Sequence, residues 1–309
     1  MAICTYNRAD GYLLQALESA VAQTYPEVEI LVSDNASEDR TEEVVRSVAD
    51  HRIRYVRQPR NLGPNDNFNF CVREAWGDYF LLLHDDDTID RDMVETSVAA
   101  LEAAGGEAGV VLTGTRVVDG EGRVRKERPN RLDEAGAAGL AFGWIQGKTS
   151  LYLCSTLYNT RRLRAAGGFA SPRNLFQDAV ATLRLSAFGR VDVEAPKASF
   201  RRHGENLGSA AAIEDWAEDS LFVLETMCRM APERAEELWR EGRTKLCREN
   251  YHRARRVAGP LERWRAYWTN YRSFRFQYSP LAFLSRSQLL RARRKLTRAF
   301  ASAAPDANG

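Results

Sequence analysis

The sequence predicts an α/β protein in which a mostly parallel sheet is flanked by helices on both faces. Roughly its first hundred residues alternate short apolar runs, typical of buried strands, with longer segments whose apolar residues recur at helical spacing. Turn-forming Gly, Pro, Asn and Asp separate these segments. Because strand, helix and strand follow one another repeatedly, crossover helices are expected to join neighbouring parallel strands.

The elements can be placed in order along the chain. Five strands are predicted, over residues 1–4, 29–34, 53–57, 79–83 and 109–119. Helices are predicted between them, over residues 9–23, 40–49 and 91–104, and within residues 61–75 after a turn at Gly63 and Pro64. Ser37 is the expected N-cap of the second of these helices.

From about residue 115 the pattern becomes irregular. A glycine-rich loop at residues 165–172 precedes a predicted helix over residues 174–189, and a short strand is expected at residues 190–193. Beyond residue 213 the sequence is helical in character throughout. We therefore expect a sheet domain over residues 1–212 and a basic, mainly helical region over residues 213–309.

The composition is typical of a globular protein, with 44% hydrophobic and 28% charged residues in a chain of 309. No run of 18 or more apolar residues is present, and the first residues lack a charged stretch followed by an apolar one. A cytoplasmic protein without a membrane-spanning helix is therefore expected. The five cysteines are odd in number and widely spaced, which favours free thiols over disulfides or a zinc site.

The net charge of +2 hides an asymmetry. Residues 231–309 carry 18 Lys and Arg against 7 Asp and Glu, and aromatic residues interleave with the arginines. One interpretation is a basic amphipathic helix that lies peripherally on the anionic inner face of a membrane. Another is a solvated helix face whose aromatic residues pack on the sheet domain or on a second subunit. Nucleic acid is not an expected partner, since no recognised motif accompanies the charge.

Polar and acidic residues follow three of the predicted strands. Thr5, Tyr6 and Asn7 follow the first, Asp34 ends the second, and Asp85–Asp87 follow the fourth. In open parallel sheets, ligands bind beside the carboxyl ends of the strands. These residues are therefore expected to form one site along a single edge.

The three adjacent carboxylates Asp85–Asp87 come directly after an apolar run. Like charges repel and are poorly solvated there, so a cation is expected beside them. Carboxylate oxygens suit Mg²⁺ or Mn²⁺, whose remaining positions fill with phosphate and water. The alternatives are a solvated acidic turn or a helix cap by Asp87 or Asp90. The sequence contains no P-loop, and no glycine motif follows the first strand, which leaves a metal to neutralise phosphates.

Asp34 is the second acidic position at this edge. A carboxylate there can accept a hydrogen bond from a nucleobase or a ribose hydroxyl. The alternative is a turn residue, because the segment SDNAS is rich in residues that turns favour on local grounds.

Six short motifs occur along the chain, and their order and spacing can be compared with those of known families. They read AICTYNR, EILVSDNASEDRT, RNLG, GDYFLLLHDDDTID, GGF with QD downstream, and RRHGENLG. The set covers roughly residues 1–210 and resembles the family 2 glycosyltransferases. That resemblance implies a GT-A fold, which is Rossmann-like, and the predicted helical region beyond it is then a C-terminal extension.

The resemblance also implies site residues. It places a nucleotide sugar against Thr5, Tyr6, Asn7, Asp34, Asn61, Gly63, Asp85 and Asp86. Asp39 matches a second acid in the Asp34 loop. A divalent ion, Mn²⁺ or Mg²⁺, is implied at the triplet, where Asp85 and Asp87 are the favoured pair and Asp86 is the alternative. His203 matches a histidine that contacts metal or diphosphate in some relatives; an ordinary loop histidine is the competing interpretation.

Asp178 matches the general base of the family, which deprotonates the acceptor hydroxyl. Gln177 stands where the family commonly has Glu, so Asp178 should titrate lower than it would beside a second carboxylate. His84 stands where many relatives have Asp, and no role is assigned to it. The chain also has fewer apolar residues before Thr5 than the family usually has, which predicts a short first strand.

The implied activity is transfer of a sugar, with inversion, from a UDP or dTDP sugar to a hydroxyl of a glycan, a lipid-linked molecule or a small molecule. The alternatives are a nucleotidyltransferase and a non-catalytic nucleotide-sugar or glycan-binding module. A binding module needs no general base, so Asp178 disfavours it. Some aromatic residues are candidates for an acceptor platform, although core packing is the commoner role: Trp76, Phe142, Trp144, Tyr152 and Phe169.

Overall fold

The computed structural model describes residues 1–203, 211–276 and 278–279. Its strands are β1 Ala2–Thr5, β2 Ile30–Asp34, β3 Ile53–Arg57, β4 Tyr79–Phe80, β5 Leu82–His84, β6 Thr88–Ile89, β7 Val110–Val118, β8 Val124–Arg128, β9 Thr156–Asn159 and β10 Arg190–Arg201. Its α-helices are α1 Leu13–Val21, α2 Thr41–Ser47, α3 Pro64–Glu74, α4 Met93–Ala103, α5 Gly136–Gln146, α6 Thr160–Ala165, α7 Gln177–Ser186, α8 Ile213–Met230, α9 Ala235–Ala254 and α10 Pro260–Ser273.

The strands form two sheets. The first is parallel, with the order β3-β2-β1-β5, which confirms the predicted α/β architecture. The second has the order β4-β9-β7-β10-β6, with β8 on β7, and it mixes parallel and antiparallel pairs. Only Leu81 separates β4 from β5, so the apolar run predicted as one strand passes from the second sheet into the first.

Two apolar clusters cover the faces of the sheets. Ala2 and Cys4 contribute to one cluster and Ile3 to the other, because successive strand residues point to opposite faces. Leu31 and Val32 divide between the clusters in the same way. Burial on both faces explains why these strands are continuous apolar runs in the sequence.

The C-terminal helices α8 and α9 share the first of these clusters with the sheets. Met227 of α8 and Leu246 of α9 are fully buried in it, together with Phe80 and Leu112 of the second sheet. A division of the chain at residue 212 stays a prediction. Residues 204–208, which end the motif RRHGENLG, lie outside the described residues. Residues 280–309 of the basic C-terminal region also lie outside them.

Several local predictions differ from the structure. The strand predicted at residues 190–193 extends to Arg201 and shifts register around Pro196. Ser37 does not cap α2, because its hydroxyl instead accepts a hydrogen bond from the backbone N–H of Asn7.

The five cysteines are free, as expected. Among the described helices, none has the length and apolar character that crossing a membrane requires.

Candidate active site

The carboxyl ends of β1, β2 and β5 lie side by side at one edge of the first sheet. Thr5 pairs in register with Asp34, and Cys4 pairs with His84, so Asp85 follows at the level of Thr5. Thr5 and Asp34 are both buried. The three segments predicted to converge are therefore brought together by parallel pairing.

The Asp34 carboxylate is held at this edge by two donors. Its Oδ1 accepts a hydrogen bond of 2.8 Å from the Ser37 backbone N–H, and its Oδ2 accepts one of 2.5 Å from the Tyr55 hydroxyl. Burial, together with this carboxylate, raises the pKa of Tyr55. Asp34 is thus a fixed acceptor at the carboxyl end of β2, with 1% of its surface exposed.

The loops that follow β1 and β2 are joined by hydrogen bonds. Asn7 adopts a positive φ of 51°, and its Oδ1 accepts a bond of 2.8 Å from the Glu38 backbone N–H. Asp39 Oδ2 accepts a bond of 2.9 Å from the Ala9 backbone N–H. Tyr6, between these contacts, is exposed and presents an open aromatic face at the same edge.

A third loop reaches the same edge through Asn35. Its side chain donates to Asn61 Oδ1 at 2.9 Å and accepts from the Leu62 backbone N–H at 2.8 Å. Gly63, with φ of 80°, donates its N–H to Asn61 Oδ1 and leads into α3 at Pro64. A positive φ at this turn favours glycine. The predicted nucleotide residues Asn61 and Gly63 therefore neighbour the Asp34 loop.

The three carboxylates of the triplet have different partners. Burial raises the pKa of Asp85 to about 6, against the opposing effect of the Thr5 hydroxyl, and the charge of Asp86 raises it further. Asp87 is 3% exposed, and its Oδ1 accepts a bond of 2.8 Å from the Arg201 backbone N–H. Asp86 Oδ2 lies 2.7 Å from His203 Nε2.

Two carboxylates of the triplet and the preceding histidine form a group of potential metal ligands. Ligand atoms of His84, Asp86 and Asp87 lie within 4.8 Å of one another. The buried Nε2 of His84 has no hydrogen-bond partner in the described part of the chain, and burial lowers the pKa of this imidazole. A neutral imidazole and two carboxylates suit a divalent cation. Asp85 lies outside this group.

His84 was not predicted to contribute to the site. The only signal in the sequence is its position directly before the triplet, at the end of an apolar strand. Its ring lies 5.2 Å from the ring of Phe68, which helps to fix its orientation. His51 and His252 are both exposed and lie outside this group.

Arg201 is a second residue that sequence reasoning missed. Its buried guanidinium donates to the Asp86 backbone carbonyl at 2.8 Å and to Gln15 Oε1 at 2.9 Å, and it lies 4.2 Å from the centre of the Tyr12 ring. The side chain therefore fixes the backbone of the triplet. Its signal was the first residue of the motif RRHGENLG.

Asp178 lies in the first turn of α7, as predicted. Burial raises the pKa of its carboxyl to about 7, the backbone N–H of Ala179 opposes that shift, and the charge of Asp219 adds to it. The Ala179 N–H donates to Asp178 Oδ1 at 2.7 Å. The pKa of this carboxyl is thus determined mainly by burial and not by the neighbouring Gln177.

The loop before Asp178 is held by a carboxylate from α8. Asp219 is fully buried and accepts four hydrogen bonds of 2.7 to 3.1 Å from the Ser171 hydroxyl and the backbone N–H groups of Arg173, Leu175 and Phe176. Helix α8, which lies beyond residue 212, therefore holds the loop that leads into the candidate base. No pattern in the sequence predicts this role.

The 3-10 turn Leu153–Ser155 lies against the triplet. The Cys154 thiol lies against Asp87, and burial followed by this carboxylate raises the pKa of the thiol. Next to it, Tyr152 is within electrostatic reach of Asp178. Among the other candidate platform residues, Phe142 and Phe169 are core residues.

The remaining two candidate aromatic residues also lie apart from an open platform. Trp76 is exposed and stacks with the guanidinium of Arg54, 4.5 Å away. Trp144 packs edge-on against Phe176 and is partly buried against the apolar core. Tyr152 is the remaining candidate, and its ring stacks on that of Phe200 with centroids 4.3 Å apart.

Residues 1–164, just over half of the chain, match glycosyl transferase family 2. The chain belongs to this family, and its fold is of the GT-A type. Its relatives include the succinoglycan biosynthesis protein ExoO of Rhizobium meliloti, which is 34% identical over 108 residues, or 35% of this chain and 31% of ExoO. A Campylobacter jejuni GalNAc(5)-diNAcBac-PP-undecaprenol beta-1,3-glucosyltransferase is 32% identical over 126 residues, or 40% of this chain and 39% of that enzyme. The matches thus span about a third of these relatives.

Solved structures share the fold over more of the chain. TarS of S. aureus, in a complex with UDP-GlcNAc, superposes with a TM-score of 0.67 and 19% identity, covering 88% of this chain and 80% of TarS. The mannosyltransferase PcManGT of Pyrobaculum calidifontis, in a complex with GDP-Man and Mn²⁺, gives a TM-score of 0.56 and 17% identity over 96% and 79% of the two chains. These similarities confirm the architecture.

Proposed function

We propose that this chain is an inverting glycosyltransferase that moves a sugar from a nucleotide diphosphate sugar to a hydroxyl acceptor in glycan or glycoconjugate biosynthesis. The observation that carries the proposal is the buried Asp178 carboxyl in the first turn of α7, whose pKa of about 7 suits a general base, in a chain that also has the metal-type donor set of His84, Asp86 and Asp87. UDP or dTDP is the favoured nucleotide. The Campylobacter relative, a glucosyltransferase, supports a sugar-transfer reaction, and TarS in its complex with UDP-GlcNAc supports a nucleotide-sugar donor.

The donor is proposed to lie along the edge formed by β1, β2 and β5. Asp34 would accept from the base, and the exposed ring of Tyr6 offers a stacking surface. The other proposed donor contacts are Thr5, Asn7, Asn61, Gly63, Asp85 and Asp86. Their loops are already joined by hydrogen bonds, so little ordering is needed when the nucleotide binds.

A divalent ion, Mn²⁺ or Mg²⁺, is proposed to bind Asp86 and Asp87, with His84 as a third ligand. The donor set fits, because three ligand atoms converge and the His84 Nε2 has no other partner among described residues. Asp85 was favoured from the sequence, but its neighbours are Thr5 and Tyr6. His203 is assigned to hold Asp86. When bound, the ion would supply positive charge beside the departing diphosphate.

The proposed proton transfer uses Asp178. Its ionised carboxylate accepts the acceptor hydroxyl proton while that oxygen attacks the anomeric carbon, and a single displacement inverts the configuration. A pKa of about 7 leaves a large fraction ionised at neutral pH while keeping the carboxylate basic. The hydrogen bond from Ala179 orients the group.

A panel of UDP, dTDP and GDP, each with and without Mn²⁺, tests the donor and metal assignments by thermal shift. We expect UDP or dTDP to raise the Tm only when Mn²⁺ is present. Hydrolysis of the matching sugar nucleotide should then release a nucleoside diphosphate, and NMR of the released sugar should show inverted configuration. Release of pyrophosphate would indicate a nucleotidyltransferase, and binding without turnover would indicate a binding module.

A peripheral contact with an anionic membrane is proposed for α10. Trp264 and Trp268 are 62% and 48% exposed, and their rings stack with centroids 6.1 Å apart beside exposed Leu261. Residues 231–309 carry a net charge of +11, which complements anionic lipid. Salt-sensitive sedimentation with phosphatidylglycerol vesicles should be lost when both tryptophans become Ala. Sedimentation that is unchanged, or a dimer that both substitutions dissolve, would overturn the membrane assignment.

A further inference from the structure

We propose that a basic cleft beside the β7–β8 hairpin binds a phosphate group, at a site separate from the one proposed for the nucleotide sugar. The cleft has a volume of about 290 Å³ and lies between this hairpin and the end of β10. Neither Asp178 nor the group of His84, Asp86 and Asp87 belongs to its lining, so the site is independent of the sugar-transfer proposal. The lining contains one carboxylate, that of Asp119, and four cationic side chains: Arg125, Lys126, Arg128 and Arg202.

Strand pairing brings cations from two strands to this cleft. Lys126 pairs with Val117 of β7, and Arg128 lies two residues further along β8, so the side chains of Lys126 and Arg128 leave the same face of the strand. β10 pairs with the other side of β7, and the Arg202 N–H donates to the Val118 carbonyl at 2.9 Å. Arg202 therefore approaches the cleft from across β7.

The positive charge of the cleft is only partly compensated. The carboxylate of Asp119 pairs with Arg125 at 2.5 Å and with Arg123 at 3.2 Å. The other three cations of the lining have no ion-pair partner among the described residues: Lys126, Arg128 and Arg202. Like charges that converge without a counter-charge repel one another, so an anion that binds between them is stabilised.

One donor of the cleft is buried without an acceptor. It is the Nε of Arg128, which has no hydrogen-bond partner within the described chain. A buried donor without an acceptor is unfavourable, and a phosphate offers guanidinium groups the paired oxygens that they bind best. Charged residues on an edge strand such as β8 also discourage pairing with other chains. That role does not account for Arg202, which follows the interior strand β10.

The strand end that contributes Arg202 also separates the cleft from the potential metal ligands. Arg201 Nε donates to the Asp86 carbonyl at 2.8 Å, and His203 Nε2 lies 2.7 Å from Asp86 Oδ2. Successive side chains of an extended strand alternate between its two faces. Arg202, between these two residues, therefore points away from Asp86. A phosphate that Arg202 binds is accordingly assigned to a ligand other than the donor diphosphate.

Inorganic phosphate, titrated into the full chain at constant ionic strength, tests the cleft. We expect saturable shifts of the Arg Nε–Hε NMR signals, and an affinity about tenfold or more lower in Arg128→Gln/Arg202→Gln. Arg131→Gln/Arg161→Gln is the matched control, because it removes the same charge from two exposed arginines outside the lining. Added UDP and Mg²⁺ should leave the affinity unchanged. Absence of binding, an equal effect of the two double variants, or displacement of phosphate by UDP would overturn the proposal.

A second arm distinguishes the two sources of such a phosphate, a lipid headgroup and a soluble phosphate ester. Phosphatidylcholine vesicles that contain phosphatidic acid are sedimented with Trp264→Ala/Trp268→Ala, which lacks the contact proposed for α10. Sedimentation that is lost when Arg128→Gln/Arg202→Gln is added indicates a lipid headgroup. Sedimentation that these substitutions leave unchanged, together with saturable binding of glycerol 3-phosphate that they weaken, indicates a soluble ester. If the cleft substitutions affect neither probe, the proposal is wrong.

Discussion

His203 Nε2 lies 2.7 Å from Asp86 Oδ2 and joins two segments that are 117 residues apart in the sequence. Two residues before His203, the backbone N–H and guanidinium of Arg201 donate to Asp87 Oδ1 and to the Asp86 carbonyl. The end of β10 therefore supports two of the three triplet carboxylates. Carboxylates held in this way are pre-organised for a cation, because their like charges are already fixed at short range.

His203→Gln is expected to weaken Mn²⁺-dependent UDP binding by about tenfold or more, since ligand-orienting partners typically have effects of that size. Calorimetric titration of UDP at fixed Mn²⁺ measures it. His252→Gln is the matched control, because His252 is exposed on α9. Unchanged affinity in His203→Gln would show that Asp86 needs no such support.

Asp178→Asn is expected to lower sugar transfer by about 10²- to 10⁴-fold while leaving UDP affinity within about twofold of the wild type. The amide keeps an oxygen that can accept from the Ala179 N–H, so the fold of the turn should persist. Single-turnover transfer and UDP titration separate the two effects. Asp133→Asn, at an exposed carboxylate beside Lys148, serves as the control. A variant with full activity would remove Asp178 from the mechanism.

The pH dependence of transfer follows from the raised pKa of Asp178. The ionised carboxylate is the active form, so the rate should rise with pH until about 7 and then level off. Folding stability should show the opposite trend. Because the folded carboxyl binds its proton more tightly than the unfolded one, whose ordinary pKa is 3.8, stability falls as pH rises from about 4 to 7.

Asp178→Asn separates these two trends. The variant cannot ionise, so its Tm should exceed that of the wild type at pH 8, and the difference should vanish near pH 4. Scanning calorimetry across this range measures it. A difference in Tm that does not change with pH would contradict a raised pKa at this carboxyl.

Much of the first sheet could be predicted because its strands are buried on both faces. Leu31 and Val32 enter different apolar clusters, so the strand is a continuous apolar run that needs no tertiary information to recognise. Because ligands bind beside the carboxyl ends of parallel strands, the ends of these runs then located Asp34 and the triplet. The direction in which each carboxylate points could not follow from the sequence, because Arg201 and His203 determine it from a distant strand end.

The second sheet was harder to predict for identifiable reasons. β8 is Val124–Arg128, a charged and largely exposed hairpin strand without apolar alternation. α5 contains Gly139 and Gly143, which lower helix propensity. A Cβ at Gly139 would lie 1.9 Å from the Glu134 carbonyl, so close packing requires the glycine that local propensity penalises.

Asp219→Ala is expected to destabilise the fold by about 3 kcal/mol or more, because four donors lose a buried acceptor. Glu218→Gln on the same helix removes a half-exposed partner of Arg173 and should change stability by no more than about 1 kcal/mol. Urea unfolding compares them. Similar values for the two variants would contradict a structural role for Asp219 in the loop before Asp178.

Gly167 and Gly168 offer a matched pair at the loop that precedes Asp178. Both have positive φ, 85° and 77°, so Ala at either position is strained by about 1–2 kcal/mol. At Gly168 an added Cβ would also lie 2.2 Å from Asn69 Oδ1, whereas at Gly167 nothing lies within 4 Å. The Asn69 side chain accepts from the Phe169 N–H at 2.8 Å and donates to its carbonyl at 2.9 Å.

Gly168→Ala should therefore be more destabilising than Gly167→Ala by about 1–3 kcal/mol, because only the former displaces Asn69 from the Phe169 backbone. Urea unfolding of both variants measures the difference, and their shared backbone strain cancels in the comparison. Asn69→Ala should remove most of the difference if it is combined with each glycine variant, since the obstructing side chain is then absent. Equal unfolding free energies for the two single variants would mean that the Asn69 side chain moves aside freely. The link between α3 and the loop that precedes Asp178 would then not be rigid.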